Sequence, residues 1–206
     1  MFELHRELFM SRYDLAKLVF LWVVMHLVVT AAFASQVHRL PFVISSSGAE
    51  LLVRIDRGAG GEGRFLRKPE DSDNSFATYF RWDAKSATYV YYMTATLPQP
   101  VLPHRAHING AGYLVTIGNC VNRSWLPAIG ILSPNGVLVK SYELGELYER
   151  EVLDTMPWTK GTEIGLCSGW LSEETPVSMG SKSVRVTDGF GKTFDFELSD
   201  GSFEYR

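Results

Sequence analysis

The sequence is poor in the features that would name a chemistry. Two cysteines in 206 residues exclude a disulfide-dense miniprotein and a four-cysteine zinc site. Charge of one sign is also missing. Twenty Lys+Arg stand against 23 Asp+Glu, a net of −3, so no basic footprint for nucleic acid exists. No G-x-S-x-G run occurs, and Ser168 in Cys-Ser-Gly lacks the preceding pattern, which removes the strained elbow of a serine hydrolase. No Pro/Ser-rich linker divides the chain. What remains is 46% hydrophobic and 13% aromatic, a globular composition rather than a disordered one.

The amino end carries an apolar run. Leu18 to Ala34 has no formal charge, Lys17 precedes it, and Ala32-Phe33-Ala34 closes it. A short cationic stretch, an apolar stretch and a small-x-small site make an export signal, because the peptidase pocket admits only small side chains there. Cleavage is expected between Ala34 and Ser35. Met10 as a start would leave a normal cationic leader, and Met1 a longer one. Uncharged sequence continues to His38. Residues 18–38 are therefore also long enough for a retained membrane anchor. Residues 1–34 balance three basic against three acidic residues, so residues 35–206 keep the net charge of −3. That length suits one domain with a real core.

Residues 35–206 read as hairpins. Glu50–Asp56 is a short strand, followed by a glycine-rich stretch from Arg57 to Lys68. Phe76–Trp82 and Ala87–Thr94 are aromatic and β-branched runs flanking Asp83-Ala84-Lys85-Ser86, whose composition supplies turn chemistry, and so predict a hairpin. Pro98, Pro100 and Pro103 impose an extended connection. Gly112–Ile117 and Pro127–Leu132 are further strands. Ser133-Pro134-Asn135-Gly136 joins the latter to Val137–Tyr142, with Pro fixing the first corner and Gly accepting the positive φ at the end. Leu144, Leu147, Tyr148 and Val152 recur at helical spacing, so one helix is expected over Glu143–Met156, stopped by Pro157. Ser183–Thr187 and Thr193–Leu198 alternate with period two, predicting one buried and one wet face. Ser199-Asp200-Gly201 then turns into Ser202–Tyr205. The expected fold is mainly β: an antiparallel sandwich or partly closed β-meander with one short helix, preceded by an N-terminal hydrophobic helix.

A faint repeat is present. Val115-Thr116 followed by Leu132-Ser133-Pro134-Asn135-Gly136 echoes Val186-Thr187 followed by Leu198-Ser199-Asp200-Gly201. Such meanders build sandwiches and propellers alike. A closed propeller of at least four blades at ~40–45 residues each would consume the whole chain, which favours the sandwich. The run Gly112-Tyr-Leu-Val-Thr-Ile, the Ser133-Pro-Asn-Gly turn and the Ser141-Tyr-Glu-Leu-Gly-Glu-Leu segment resemble uncharacterised exported bacterial proteins with propeller-like β repeats. The resemblance covers residues 112–205. It implies a fold type and export, and no active site. The Ser168-Gly169-Trp170 spacing departs from the Ser-x-x-Trp of those proteins.

Candidate chemistry is sparse. Cys120 and Cys167, once exported, are expected to pair as a disulfide, closing a long loop worth roughly 4 kcal/mol in the chain-entropy model. Gly58-Ala-Gly60-Gly-Glu-Gly63 fits G-x-G-x-x-G, but no helix follows to meet a pyrophosphate. It reads as a loop, and no cofactor is expected. His104 and His107 are three apart in an extended context, where they point to opposite faces, so they read as loop histidines rather than metal ligands. Asn122-Arg-Ser124 fits a glycan acceptor only in a eukaryotic secretory path. Glu173-Glu174 reads as a solvated loop. The aromatic hairpin offers a binding surface: Trp82, Tyr89, Tyr91 and Tyr92. At least one of the adjacent Tyr91 and Tyr92 must face away from the core, and exposed rings suit a protein or carbohydrate ligand.

Three readings follow. The first is an exported, single-domain β module with a non-catalytic binding or structural role at the cell envelope. The second is a small exported hydrolase with a loop-built site around His104 or His107. The third is a membrane-tethered domain held by residues 18–38.

Overall fold

The computed structural model describes residues 41–58, 74–118, 126–156, 158–161, 165–168, 170–171 and 176–206, all within one compact unit spanning 37–206. The apolar run, its expected cleavage site at Ala34 and Ser35, and Cys120 lie outside the described residues. No described helix is long and apolar enough to cross a membrane.

The strands are laid down in chain order as antiparallel meanders. The first sheet is β1 (Phe42–Ser45), β2 (Leu51–Asp56), β3 (Phe76–Asp83) and β4 (Thr88–Thr96). The second is β5 (Arg105–Ile108), β6 (Leu114–Ile117), β7 (Ile129–Leu132) and β8 (Leu138–Tyr142). Two short helices follow, α1 (Leu144–Leu147) and α2 (Arg150–Thr155), then a two-stranded ribbon of β9 (Trp158–Gly161) and β10 (Gly165–Ser168). The third four-stranded sheet is β11 (Val177–Met179), β12 (Ser183–Thr187), β13 (Thr193–Glu197) and β14 (Phe203–Tyr205). The protein is mainly β, as its alternating and aromatic runs require.

The predicted Ser133–Gly136 turn is present. Gly136 has φ +77°, its N–H donates to Ser133 O at 2.9 Å, and Ser133 N–H donates to Val137 O at 2.9 Å. The predicted single helix over Glu143–Met156 is instead two. Glu143 and Glu146 form a capping box that starts α1. Tyr148 then turns extended, with φ −134° and ψ 145°, and its side chain reaches buried Asp188 (2.5 Å). That tertiary contact interrupts the helical run. Val152 consequently lies exposed while Leu153 is buried.

Sheets stack face to face. Val53, Ile55, Ala77, Tyr79 and Leu97 of the first sheet region share a core with Ala106, Ile108, Leu114 and Leu132 of the second. Val115, Ile117, Ile129 and Ile131 share another with Val184, Val186, Phe194 and Phe196 of the third, closed over by Leu144, Leu147, Leu153 and Trp170. β6 and β7 are therefore buried on both faces along their whole length. Tyr142 packs its ring 5.5 Å from Phe196 and 5.2 Å from Phe203, and donates its hydroxyl to Gly201 O. The Trp170 indole N–H donates to Gly118 O at 2.8 Å. The outer face of the third sheet is polar: Arg185 grips Asp195 with two hydrogen bonds of 2.9 Å. That hydrogen-bonded ion pair holds the Asp195 carboxyl below its ordinary range.

The proline-rich connection after β4 is buried between the first two sheets rather than draped outside. Pro98 lies where a side chain on Gly130 would fall: a Cβ there would sit 2.5 Å from Pro98 Cγ and 2.7 Å from Thr116 Oγ1. Buried Gln99 accepts from the Thr116 hydroxyl at 2.9 Å and, through its carbonyl, from Ser75 N–H at 2.9 Å. Gly130→Ala is expected to cost about 1–3 kcal/mol by overpacking. Gly110→Ala, whose Cβ would meet only Ser47 Oγ at 4.0 Å, is expected to stay within about 0.5 kcal/mol of the parent. Urea unfolding midpoints of the two variants check this.

Candidate functional site

The β3–β4 hairpin is built for register. Asp83 opens the turn, its carboxylate accepting from Ser86 Oγ at 2.7 Å and Lys85 N–H at 3.0 Å. Those bonds, the hydroxyl foremost, lower its pKa. Ala87 completes the turn at φ +49°, a left-handed conformation that non-glycine residues seldom adopt. Cross-strand partners then run Trp82 with Tyr89, Arg81 with Val90, and Phe80 with Tyr91; a bulge at Tyr79/Phe80 leaves Tyr92 as the extra residue before Met93.

Paired residues share a face. Leu52 pairs with Phe80, so Leu52, Phe80, Trp82, Tyr89 and Tyr91 all lie on the face opposite the Val53–Tyr79 core. Trp82 and Tyr89 meet edge to face at 5.2 Å with an interplanar angle of 68°. Tyr89 donates to Ala49 O at 2.5 Å, which pins its ring. Tyr91 is 64% exposed and Trp82 44%. Of the four predicted surface residues, Trp82, Tyr89 and Tyr91 are thus brought together. Tyr92 is separate: the bulge displaces it, and the Arg81 guanidinium stacks 4.2 Å over its ring. Phe80 and Leu52 belong to the face and were missed. Cross-strand register placed them there, which the sequence shows only once the hairpin's alignment and its bulge are known.

The remaining predicted positions do not converge. His107 lies on β5, opposite Val115, so it is a strand residue rather than a loop one. It is half-buried, and its Nε2 has no hydrogen-bond partner among the described residues. His104 precedes that strand. Among the described residues no three of His, Cys, Asp and Glu gather to hold a metal ion. Cys167 sits on β10 opposite Thr159; its proposed bridge to Cys120, the glycine stretch beyond Gly58, Asn122 and Glu173-Glu174 all fall outside the described residues.

One buried carboxylate escaped sequence reasoning. Asp188 is 4% exposed. Its Oδ1 accepts from Phe190 N–H at 2.8 Å and Lys192 N–H at 2.7 Å, and its Oδ2 from the Tyr148 hydroxyl. Lys192 Nζ stands 4.2 Å over the Tyr205 ring and 5.1 Å over Tyr148. Burial and then the Asp188 hydrogen bond push the Tyr148 pKa far above its ordinary value, so the hydroxyl stays protonated. The carboxylate ties a loop to a helix break. The Asp188-Gly-Phe-Gly turn composition was the available signal.

No protein-family model and no curated protein matches the chain. Among solved structures, a protein described as a putative 6-phosphogluconolactonase from Bacteroides fragilis NCTC 9343 is similar at 12% identity and a TM-score of 0.35, over 80% of this chain. The chain spans 55% of that one's length. A likeness of that size carries no argument about activity.

His107 carries a pH dependence. Burial, and then the Arg105 charge, lower its pKa from 6.5. The unfolded chain therefore takes up the proton first as pH falls. The stability from this group is full above about pH 6.5 and declines below it. Urea midpoints measured from about pH 8 to about pH 5 should fall on acidification, and the fall should be shallower in His107→Gln. An identical slope in both proteins would refute the assignment.

Proposed function

We propose that this chain is an exported, non-catalytic β module that works by binding protein through the outer face of its first sheet. The observation that supports it is an aromatic row opposite a well-filled core, in which Trp82 and Tyr91 are exposed and Phe80 and Tyr89 half-buried. The exported β-repeat proteins it resembles supply the setting, and the Ala32-Phe33-Ala34 site the route.

The ring geometry favours protein over carbohydrate. A sugar chain stacks on rings lying nearly parallel to one plane. Trp82 and Tyr89 stand 68° apart, and Tyr89 is held by Ala49, so the two cannot lie flat under one ligand. Mixed aromatic and threonine surface, with Thr94 and Thr96 exposed beside the rings, suits a protein face. The hydrolase reading asks for His104 or His107 beside a carboxylate, and Asp188, the most deeply buried carboxylate among the described residues, gives its oxygens instead to Tyr148, Phe190 and Lys192.

Two measurements test this reading. Amino-terminal sequencing of the protein recovered outside the cytosol should begin at Ser35. An intact residue 1 or 10 in the membrane fraction would replace export with tethering. Tryptophan emission titrated with soluble β-glucan and chitin oligosaccharides should not move. A saturable shift that disappears in Trp82→Phe would replace protein with carbohydrate as the ligand.

A further inference from the structure

We infer that Asn135 is a site of spontaneous backbone modification, an asparagine that the folded chain leaves free to cyclise onto the nitrogen of Gly136, while the same dipeptide at Asn109 is held inert. The sequence carries the pair Asn-Gly twice, at Asn109-Gly110 and at Asn135-Gly136. The reaction needs no reagent but water. The Gly backbone nitrogen attacks the Asn Cγ, the bond from Cγ to Nδ2 breaks, and the backbone amide proton leaves with that nitrogen as ammonia. Water then opens the cyclic imide at either carbonyl, giving Asp or an isoaspartate whose main chain runs through the former side chain. Nothing is oxidised or reduced. Glycine in the second position suits the step, because a residue without Cβ leaves its nitrogen unhindered and its backbone free to rotate.

The fold treats the two pairs differently. Asn109 is 6% exposed, and both ends of its carboxamide are engaged. Its Nδ2 donates to Gly180 O at 3.1 Å and Ser181 O at 3.2 Å, and its Oδ1 accepts from Tyr113 N–H at 3.0 Å. The nitrogen that has to leave is the one held by two carbonyls. Asn135 is exposed. Its Oδ1 accepts from the Ser133 hydroxyl, and among the described residues its Nδ2 has no partner. The attacking nitrogen is restrained by one turn bond, Gly136 N–H to Ser133 O at 2.9 Å, in a hairpin tip followed by exposed Val137 and Leu138. Opening such a tip costs far less than opening the interior. The product acts on the packing of the first two sheets. Gly136, at φ +77°, is seated on β4: a Cβ there would sit 2.9 Å from Ala95 Cβ and 3.5 Å from Met93 Cε. An isoaspartate adds a methylene to the main chain at this seat and puts a carboxylate where the amide was. The turn then cannot keep both its place on β4 and the Leu132–Leu138 pairing behind it, and Leu132 belongs to the core that the first two sheets share.

Timed incubation of the full-length protein at mildly alkaline pH, followed by proteolysis and mass spectrometry, reads the amide-to-acid conversion at each site. Isoaspartyl methyltransferase with labelled S-adenosylmethionine reads the isoaspartate. With three hydrogen bonds on the Asn109 carboxamide against one on that of Asn135, the first-order rate at position 135 is expected to exceed that at 109 by about a hundredfold. In denaturing urea the two rates should come within about threefold of each other, since only the fold separates them. Asn135→Gln, at an exposed position, should keep the parent's circular dichroism and urea midpoint and lose the methyl label from that peptide. The aged parent should show a lower urea midpoint than aged Asn135→Gln. Comparable rates at the two positions in the folded protein overturn the assignment, and so does a gap that persists in urea. An aged, isoaspartate-bearing parent with an unchanged midpoint overturns the effect on sheet packing.

Discussion

Burial of the second sheet on both faces is the constraint from which the rest follows. β6 and β7 have no solvent side, so every position along them must be apolar, very small, or polar with a partner. Leu-Val-Thr-Ile and Ile-Gly-Ile-Leu meet that requirement. Leu114, Thr116, Gly130 and Leu132 face the first sheet, while Val115, Ile117, Ile129 and Ile131 face the third. The one hydroxyl, on Thr116, is bonded to Gln99. Antiparallel sheets more often wet one face; here two neighbours cover both.

That constraint explains the odd chemistry of the connection between the first two sheets. A buried chain segment carries backbone groups that need partners. Proline removes a donor at Pro98, Pro100 and Pro103, and Gln99 supplies both a side-chain amide and a carbonyl to the neighbouring strands. Gly130 leaves room for the Pro98 ring. The fit is not free of cost. Among the described residues, the Tyr79 hydroxyl and Ser75 Oγ are buried without hydrogen-bond partners, each worth about 1–3 kcal/mol of lost solvation. Burial raises the Tyr79 pKa accordingly.

Much of this was legible in the sequence, and the failures have physical causes. The hairpins at Asp83–Ser86 and Ser133–Gly136 announce themselves through turn residues whose preferences are local. β13 announces itself through Phe194, Phe196 and the intervening Asp195. β1, β5 and β11 do not. Each lies at a sheet edge or is only three or four residues long, with too few positions to display a period. The helix divided at Tyr148 because a contact forty residues away, at Asp188, outweighed a local 3.6-residue pattern. The candidate face was half legible. Aromatic runs marked the hairpin, but face assignment depends on a bulge that moves Tyr92 out of the row, and nothing in adjacent Tyr91-Tyr92 says which is displaced.

The distribution of polar groups weighs on what kind of protein this is. A catalytic site keeps at least one reactive group free for substrate while its neighbours hold it in place. Asp188, the carboxylate most deeply buried among the described residues, has given its oxygens to a hydroxyl and two amides of its own fold. Gln99 and Thr116 satisfy each other, and Asn109 bridges Tyr113 N–H to the Gly180 and Ser181 carbonyls. These groups hold layers together. Among the described residues, Trp82 and Tyr91 leave aromatic surface exposed on the outer face of the first sheet. Flat aromatic surface provides contact area and desolvation, the currency of association. Both outer sheet faces carry an ion pair of their own, Arg54 with Asp56 on the first sheet and Arg185 with Asp195 on the third, and the first adds Trp82 and Tyr91 in solvent beside it.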